Sequence, residues 1–271
     1  MGIIGLWPFI KKKGHETTLV HAHTVLDSTY QPTRHIDVQA CFYSTISRAY
    51  SSHPVSVANH ILERALLKFA TTENAIVYLD GSPCHEKALT HASREKKRQD
   101  ALDEVVMAIN NFSASIEEKR KVRKQLFYKI NKGLRKAFSW TASEKASFAA
   151  HLRGRGWRVV QSTTEADLEI ALSYVPGDVV VSTDSDLLIY ANILTVWRPI
   201  SKDRFLVYQT PDILKSLAMT RSQFVAFGVV SANDYDRNVP SLGVATNYDL
   251  IKATESTGRK TSVELARCTA I

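Results

Sequence analysis

Short apolar runs alternate along this chain with longer stretches whose apolar residues recur at helical spacing. The segments Ile36-Asp37-Val38 and Ala75-Ile76-Val77-Tyr78-Leu79 read as buried strands, with Asp37 and Asp80 at or near their ends. Between them Val57, Ile61, Leu62, Ala65, Leu66 and Phe69 keep the period of a helix, so a βαβ unit and a parallel sheet are expected. Residues 157–160 and 179–181 supply two further strands, separated by a helical stretch over 165–172 and the turn signal Pro176-Gly177. A helix before them begins at Thr141, where Thr-x-x-Glu to Glu144 fits a capping box, and stops near Gly154 and Gly156. The expected fold class is α/β, a central and mainly parallel sheet flanked by helices in one domain over 1–271.

The α/β pattern is interrupted over 84–136, a segment with fourteen Lys and Arg against seven Asp and Glu, a formal charge of +7. The whole chain of 271 residues carries +8, so this insertion holds nearly all of the excess. Mobile basic helices are expected there rather than core. In isolation such a run is more often a solvated helical face, but its place between two sheet strands favours an anionic partner such as nucleic acid. Cys41, Cys84 and Cys268 form no CxxC pair, which leaves a disulfide framework and a structural zinc site without support and points to an intracellular, reducing compartment. The apolar opening Gly2 to Ile10 is too short to span a bilayer and precedes its lysines, so neither a secretory signal nor a membrane partner is expected.

Acidic residues sit beside apolar segments in five places: Asp37, Asp80, the pair Glu165 and Asp167, the pair Asp184 and Asp186, and Asp234. Aspartates at the carboxyl ends of parallel strands point into the crevice where such sheets bind ligands. Several carboxylates converging there would repel one another unless cations neutralised them, and all-oxygen ligation suits two Mg²⁺ or Mn²⁺ ions. Two such ions suit phosphodiester hydrolysis. Taken alone, Asp37 or Asp80 is more often a helix cap or turn former. Glu165 and Asp167 alone read as an acidic first helical turn. The spacing of Asp184 and Asp186 projects both to one side of an extended segment, though a turn fits that segment equally.

The order of these places, after the opening Met1-Gly2-Ile3-Ile4-Gly5-Leu6, resembles the flap endonuclease and excision-repair (XPG/Rad2-like) structure-specific 5′ nuclease superfamily. Ile36-Asp37-Val38 and Tyr78-Leu79-Asp80-Gly81-Ser82-Pro83 are similar to its first two aspartate motifs. Glu165-Ala166-Asp167, Thr183-Asp184-Ser185-Asp186 and Asn233-Asp234-Tyr235 are similar to the later ones, with Asp167 in place of the usual second glutamate. The resemblance implies a PIN-like 5′ nuclease fold in which Asp37, Asp80, Glu165 and Asp167 surround one ion and Asp184, Asp186 and Asp234 complete the second site. It implies that 84–136 is a helical arch admitting a free 5′ strand and presenting Lys87 and Arg94 to the scissile phosphate. General phosphate attraction is the other reading of that pair. Lys96, Lys97, Arg98, Lys119, Arg120, Lys121, Arg123 and Lys124 would position the backbone electrostatically. Gly2 would approach nucleic acid closely or else tuck the amino terminus into the fold.

Residues 220–255 loosely resemble a helix-hairpin-helix element, with Gly243 contacting duplex and K⁺ at the hairpin. The chain ends soon afterwards without a clamp-binding tail, so coupling to replication by that route is not expected. The expected enzyme is a monomeric nuclease acting on DNA flaps, free 5′ ends or junctions, nuclear if the source is eukaryotic. The same chemistry is open to an RNA substrate, and an inactive nucleic-acid-binding scaffold is the contrasting class.

Overall fold

The structure, a computed structural model, describes residues 2–26, 31–82, 85–118, 124–201, 203–233 and 242–256. In chain order its elements are α1 (Leu6–Lys12), β1 (Thr18–His21), α2 (Ala22–Leu26), β2 (Arg34–Asp37), α3 (Val38–Ser52), α4 (Val55–Leu66), β3 (Ala75–Leu79), α5 (Ala88–Glu117), α6 (Lys124–Ala137), α7 (Ala142–Gly154), β4 (Arg158–Gln161), α8 (Ala166–Ser173), β5 (Val179–Val181), β6 (Thr195–Pro199), β7 (Arg204–Gln209), α9 (Thr210–Leu217), α10 (Arg221–Val230) and α11 (Val244–Ser256). Short 3₁₀ turns at His85–Lys87 and Asp186–Leu188 follow β3 and β5.

Among the described residues the strands form one seven-stranded sheet in the order β1-β7-β6-β5-β2-β3-β4. β2, β3, β4, β5 and β6 run parallel, and β6-β7-β1 closes one edge with antiparallel pairing. Because side chains alternate across a strand, each strand feeds two cores. Ile36, Val77, Val179 and Val181 face α3, α4 and α7 with Phe42, Leu62 and Phe148. Tyr78, Val180 and Val196 face α1, α8, α9 and α10 with Leu6, Ile170, Ile213 and Phe227. A polar network crosses this second core, where buried His35 bonds Tyr78 Oη and Asp178 Oδ2, both at 2.9 Å.

The strands at 75–79 and 179–181 have the expected bounds, whereas β2 starts two residues before the expected segment and ends at Asp37, so Val38 opens a helix. The physical reason is the Asp37 side chain, which accepts from Ala40 N at 3.0 Å and caps α3. Two helices, α3 and α4, occupy the connection where one over 57–69 was expected. The capping box at Thr141 is present in both directions.

The basic segment folds as two helices packed on each other. Ala101, Val105 and Ala108 of α5 are buried against buried Gly133 of α6, so the pair has a thin apolar seam. A Cβ on Gly133 would lie 2.3 Å from Val105 Cγ2, which requires glycine at this crossing. Among the described residues no helix is long and apolar enough to cross a membrane.

Candidate active site

The parallel strands end at a cleft of about 570 Å³ lined by Asp37, Asp80, Glu165, Asp167 and Asp184 together with Lys87, Arg94, Arg98 and Lys145. Each carboxylate is held by a different local device. Asp37 closes β2, with Oδ1 capping α3 and Oδ2 accepting from Ser182 Oγ at 2.9 Å. Asp80 follows β3, and its Oδ1 accepts from Ala166 N at 2.9 Å, supplying the amino-terminal cap of α8. Glu165 stands at the capping position of that helix yet makes no cap bond, because its side chain pairs with Lys87. Asp167 lies buried in the first turn of α8. Thus the capping reading and the clustering reading of these aspartates both hold: the turns that use them also aim them into the cleft.

Gly81 sets the approach of the loop before α8. Its N–H donates to Thr164 O at 2.6 Å, Ser82 N–H donates to Thr163 O at 3.1 Å, and a Cβ on Gly81 would lie 2.0 Å from Ser162 O. Only glycine lets these two loop backbones come together, and their pairing brings Glu165 beside Asp80.

The segment after β5 takes the turn, one of the two geometries open for Asp184 and Asp186. Asp184 Oδ1 accepts from Asp186 N at 3.0 Å, which turns the chain into the 3₁₀ turn Asp186–Leu188. Asp184 lines the cleft, whereas Asp186 is buried and is not among the lining side chains. Gly2 has φ +96°, and a Cβ there would lie 2.2 Å from Asp184 Oδ1 and 2.5 Å from Ser185 Oγ. The amino terminus is therefore tucked against the acidic turn and is fastened by Ile4 N–H to Ala232 O at 2.9 Å. Asp234, Lys119, Arg120, Lys121 and Arg123 lie outside the described residues.

The electrostatics of the cleft are those of a site that wants cations. Burial, then the neighbouring charge of Asp80 and Asp184, lifts the Asp37 carboxyl from its ordinary 3.8 to about 7, against the hydrogen bonds from Ala40 and Ser182. Asp167 is pushed well above the carboxylate range by burial and by Asp184, Asp37 and Asp80, with Lys87 opposing. Burial alone works against the Lys87 ammonium, but the hydrogen bond to Glu165 and the pull of Asp167, Glu165 and Asp186 outweigh it and hold the charge above its ordinary value. The donors that face the cleft from the acidic side are all carboxylate oxygens, which fits hard divalent ions and not thiophilic ones.

Lys87 ends the first 3₁₀ turn and Arg94 lies two turns into α5, and both line the cleft. Arg98 lines its rim and pairs with Glu95, with Nε to Oε2 at 2.9 Å, while Lys96, Lys97 and Lys124 are exposed. Gly243 is exposed just before α11, and a Cβ there meets no atom within 4 Å. Two contributors went unread in the sequence. Ser182 fixes Asp37, and Lys145 of α7 donates to Asp80 O at 3.0 Å, its own pKa lowered by burial. Neither carries a local pattern; a lysine one turn after a helix cap reads only as a solvated residue.

No family model matches the chain, and no curated protein matches it. Solved structures with the same architecture include the catalytic core of Rad2 in complex with DNA substrate, at 14% identity and TM-score 0.56, covering 96% of this chain and 74% of that one. Flap endonuclease-1 from Methanococcus jannaschii matches at 16% identity and TM-score 0.57, over 93% of this chain and 80% of that one. Human GEN1 in complex with Holliday junction DNA matches at 15% identity and TM-score 0.52, over 93% and 55%. Identity at this level speaks for fold alone, and the fold is the one these Rad2, flap endonuclease-1 and GEN1 structures share.

Proposed function

We propose that this protein is a divalent-metal-dependent, structure-selective nuclease that hydrolyses DNA phosphodiesters near 5′ ends, flaps or junctions. The observation that carries the reading is the convergence of Asp37, Asp80, Glu165, Asp167 and Asp184 on one cleft that Lys87 and Arg94 enter from the basic helical pair. Asp37, Asp80, Glu165 and Asp167 would hold one Mg²⁺ or Mn²⁺ and Asp184, with Asp186 and Asp234, a second. Raised pKa values at Asp37 and Asp167 fit this, because a bound dication returns both to the ionised form. When bound, the ions supply an activated water and charge neutralisation for the phosphate.

The chain's own groups do the rest. Hydrolysis forms a bond from water oxygen to phosphorus, breaks a phosphorus–ester oxygen bond and returns a proton to the leaving sugar oxygen. Lys87, kept protonated by Glu165, would neutralise negative charge gathering on the phosphoryl oxygens, and Arg94 of α5 would hold the phosphate from the same side of the cleft. Lys96, Lys97 and Lys124 attract the backbone and steer the strand toward the cleft. The helices α5 and α6 would serve as the arch, and α10 with α11 would flank a duplex-gripping hairpin that would take K⁺.

The test is cleavage of matched, 5′-labelled DNA and RNA flaps, single strands and duplex ends by the wild type and by Asp184→Asn. Mg²⁺-dependent cutting of the DNA flap by the wild type alone supports the reading. Equal cutting of unstructured single strands removes structure selectivity, preference for the RNA flap replaces the substrate, and binding without cutting by both proteins makes the chain a scaffold.

A further inference from the structure

Away from the acidic cleft, three side chains with no part in the proposed chemistry meet on the outer face of the helical layer. His60 and Glu63, three residues apart on α4, face His151 of α7. His151 Nε2 lies 3.0 Å and His60 Nδ1 3.9 Å from the same oxygen, Glu63 Oε2, and the ligand atoms of the three all lie within 4.8 Å of one another. A tetrahedral ion with bonds of about 2.0–2.1 Å sets its donor atoms roughly 3.3–3.5 Å apart, so this triad brackets the required spacing and needs only side-chain rotation to reach it.

The surroundings are those of a built site. Glu63 is 4% exposed although it is a carboxylate on a surface helix. Its other oxygen, Oε1, accepts from Arg155 Nε at 3.1 Å and from Trp157 Nε1 at 3.2 Å. Those two donors fix the carboxylate and leave Oε2 turned toward both imidazoles, the outer-sphere arrangement that orients a metal-binding carboxylate. The two rings stand 4.6 Å apart at 86°, so they converge on that oxygen from different directions instead of stacking. His60 stays exposed, which leaves a side open for ion entry and for a water in the fourth position.

We propose that His60, Glu63 and His151 form a structural site for a borderline transition-metal dication of the Zn²⁺ class, which pins α4 to α7. Two imidazoles and one carboxylate select such an ion over Mg²⁺ or Ca²⁺, whose ligands are oxygens. On binding, the ion takes the place of the hydrogen between His151 Nε2 and Glu63 Oε2. The site lies beside Trp157, which immediately precedes β4, and thus at the amino-terminal end of the parallel strands, opposite the cleft at their carboxyl ends. It is therefore distinct from the catalytic ions in position, in ligand chemistry and in role.

The experiment is a Co²⁺ titration of the metal-stripped full chain in excess Mg²⁺, which fills the oxygen sites, followed by visible absorption. One equivalent of Co²⁺ is expected to give the intense ligand-field bands of a four- or five-coordinate ion with imidazole ligands, and Zn²⁺ is expected to displace it. His60→Ala, at an exposed position that the fold does not depend on, is expected to weaken this binding by at least about 100-fold, beyond the roughly 10–100-fold of an outer-shell change. Zn²⁺ is expected to raise the melting temperature of the wild type and not of His60→Ala, while Mg²⁺-supported nuclease activity of the two stays equal. His151→Gln, which can still donate to Glu63, separates loss of a ligand from loss of a hydrogen bond and is expected to fold and not to bind. Weak octahedral bands only, or bands unchanged in His60→Ala, would overturn the proposal.

Discussion

The floor of the cleft and the basic helical pair above it are built on opposite principles. The carboxylates stand on strand ends and helix caps whose backbone is fixed on both faces of a sheet, with Ile36, Val77, Tyr78, Val180 and Val181 almost fully buried beneath them. The pair α5 and α6 has Ala101, Val105, Ala108 and Gly133 as its buried seam, and Leu102, Val106, Ile109, Phe127 and Tyr128 remain exposed. The clustered carboxylates are over-determined by packing, whereas the basic groups proposed to meet a polyanion are spread along helices with a thin buried seam. Such helices belong to the low-stability end of a fold, where opening is least costly.

That contrast gives a graded set of expectations. Asp184→Asn keeps the acceptor for Asp186 N–H but removes a charge from the floor, so cleavage is expected to fall at least about 10³-fold, or about 4 kcal/mol, with DNA affinity nearly unchanged. A matching loss of affinity would show that the floor also carries binding. Lys87→Met sits where the two regions meet and leaves Glu165 without its cation; single-turnover cleavage is expected to fall about 10²-fold, like the removal of one transition-state donor. Lys96→Glu with Lys97→Glu acts on the helical pair alone. Affinity for flap DNA is expected to drop about tenfold with a shallower salt dependence, and the rate at saturation is expected to hold.

Gly133→Val tests independence directly, since its side chain would meet Val105. Flap cleavage is expected to suffer while the main melting transition stays nearly in place, because the helical pair opens as a unit of its own. A large shift would mean that the helices share the stability of the sheet.

The smallest effect concerns pH. The folded Asp37 carboxyl, near 7, lies above its ordinary 3.8, so the folded metal-free protein holds more protons than the unfolded chain between those values. The stability this contributes is fully present below about pH 4 and is lost as pH rises through about 7. Thermal melts of metal-free protein are expected to decline across that window, and Asp37→Asn or added Mg²⁺ is expected to flatten the decline.

How far the sequence carries depends on whether a feature is local. β3 and β5 are legible because their apolar runs stop at Asp80-Gly81 and start after Pro176-Gly177. β2 is shifted because Arg34 and His35 are polar yet buried, satisfied by Gln31, Asn74, Tyr78 and Asp178, partners that no neighbouring residue announces. The antiparallel edge, β1, β6 and β7, mixes polar and apolar residues without clean alternation and went unread. The acidic places are legible as motifs, but the turn at Asp184 that buries Asp186 is a hydrogen-bond choice. Lys145, Ser182 and the triad of His60, Glu63 and His151 exist only once α7 packs on α4 and β5 lies beside β2.

The central claim is that the floor binds divalent cations and that this binding is what cutting requires. Crystals of the protein grown with Mn²⁺ and measured for anomalous scattering test it most directly. The expected result is two peaks in the cleft among Asp37, Asp80, Glu165, Asp167 and Asp184, both diminished in Asp184→Asn. A cleft without Mn²⁺ at concentrations that support cleavage would contradict the account.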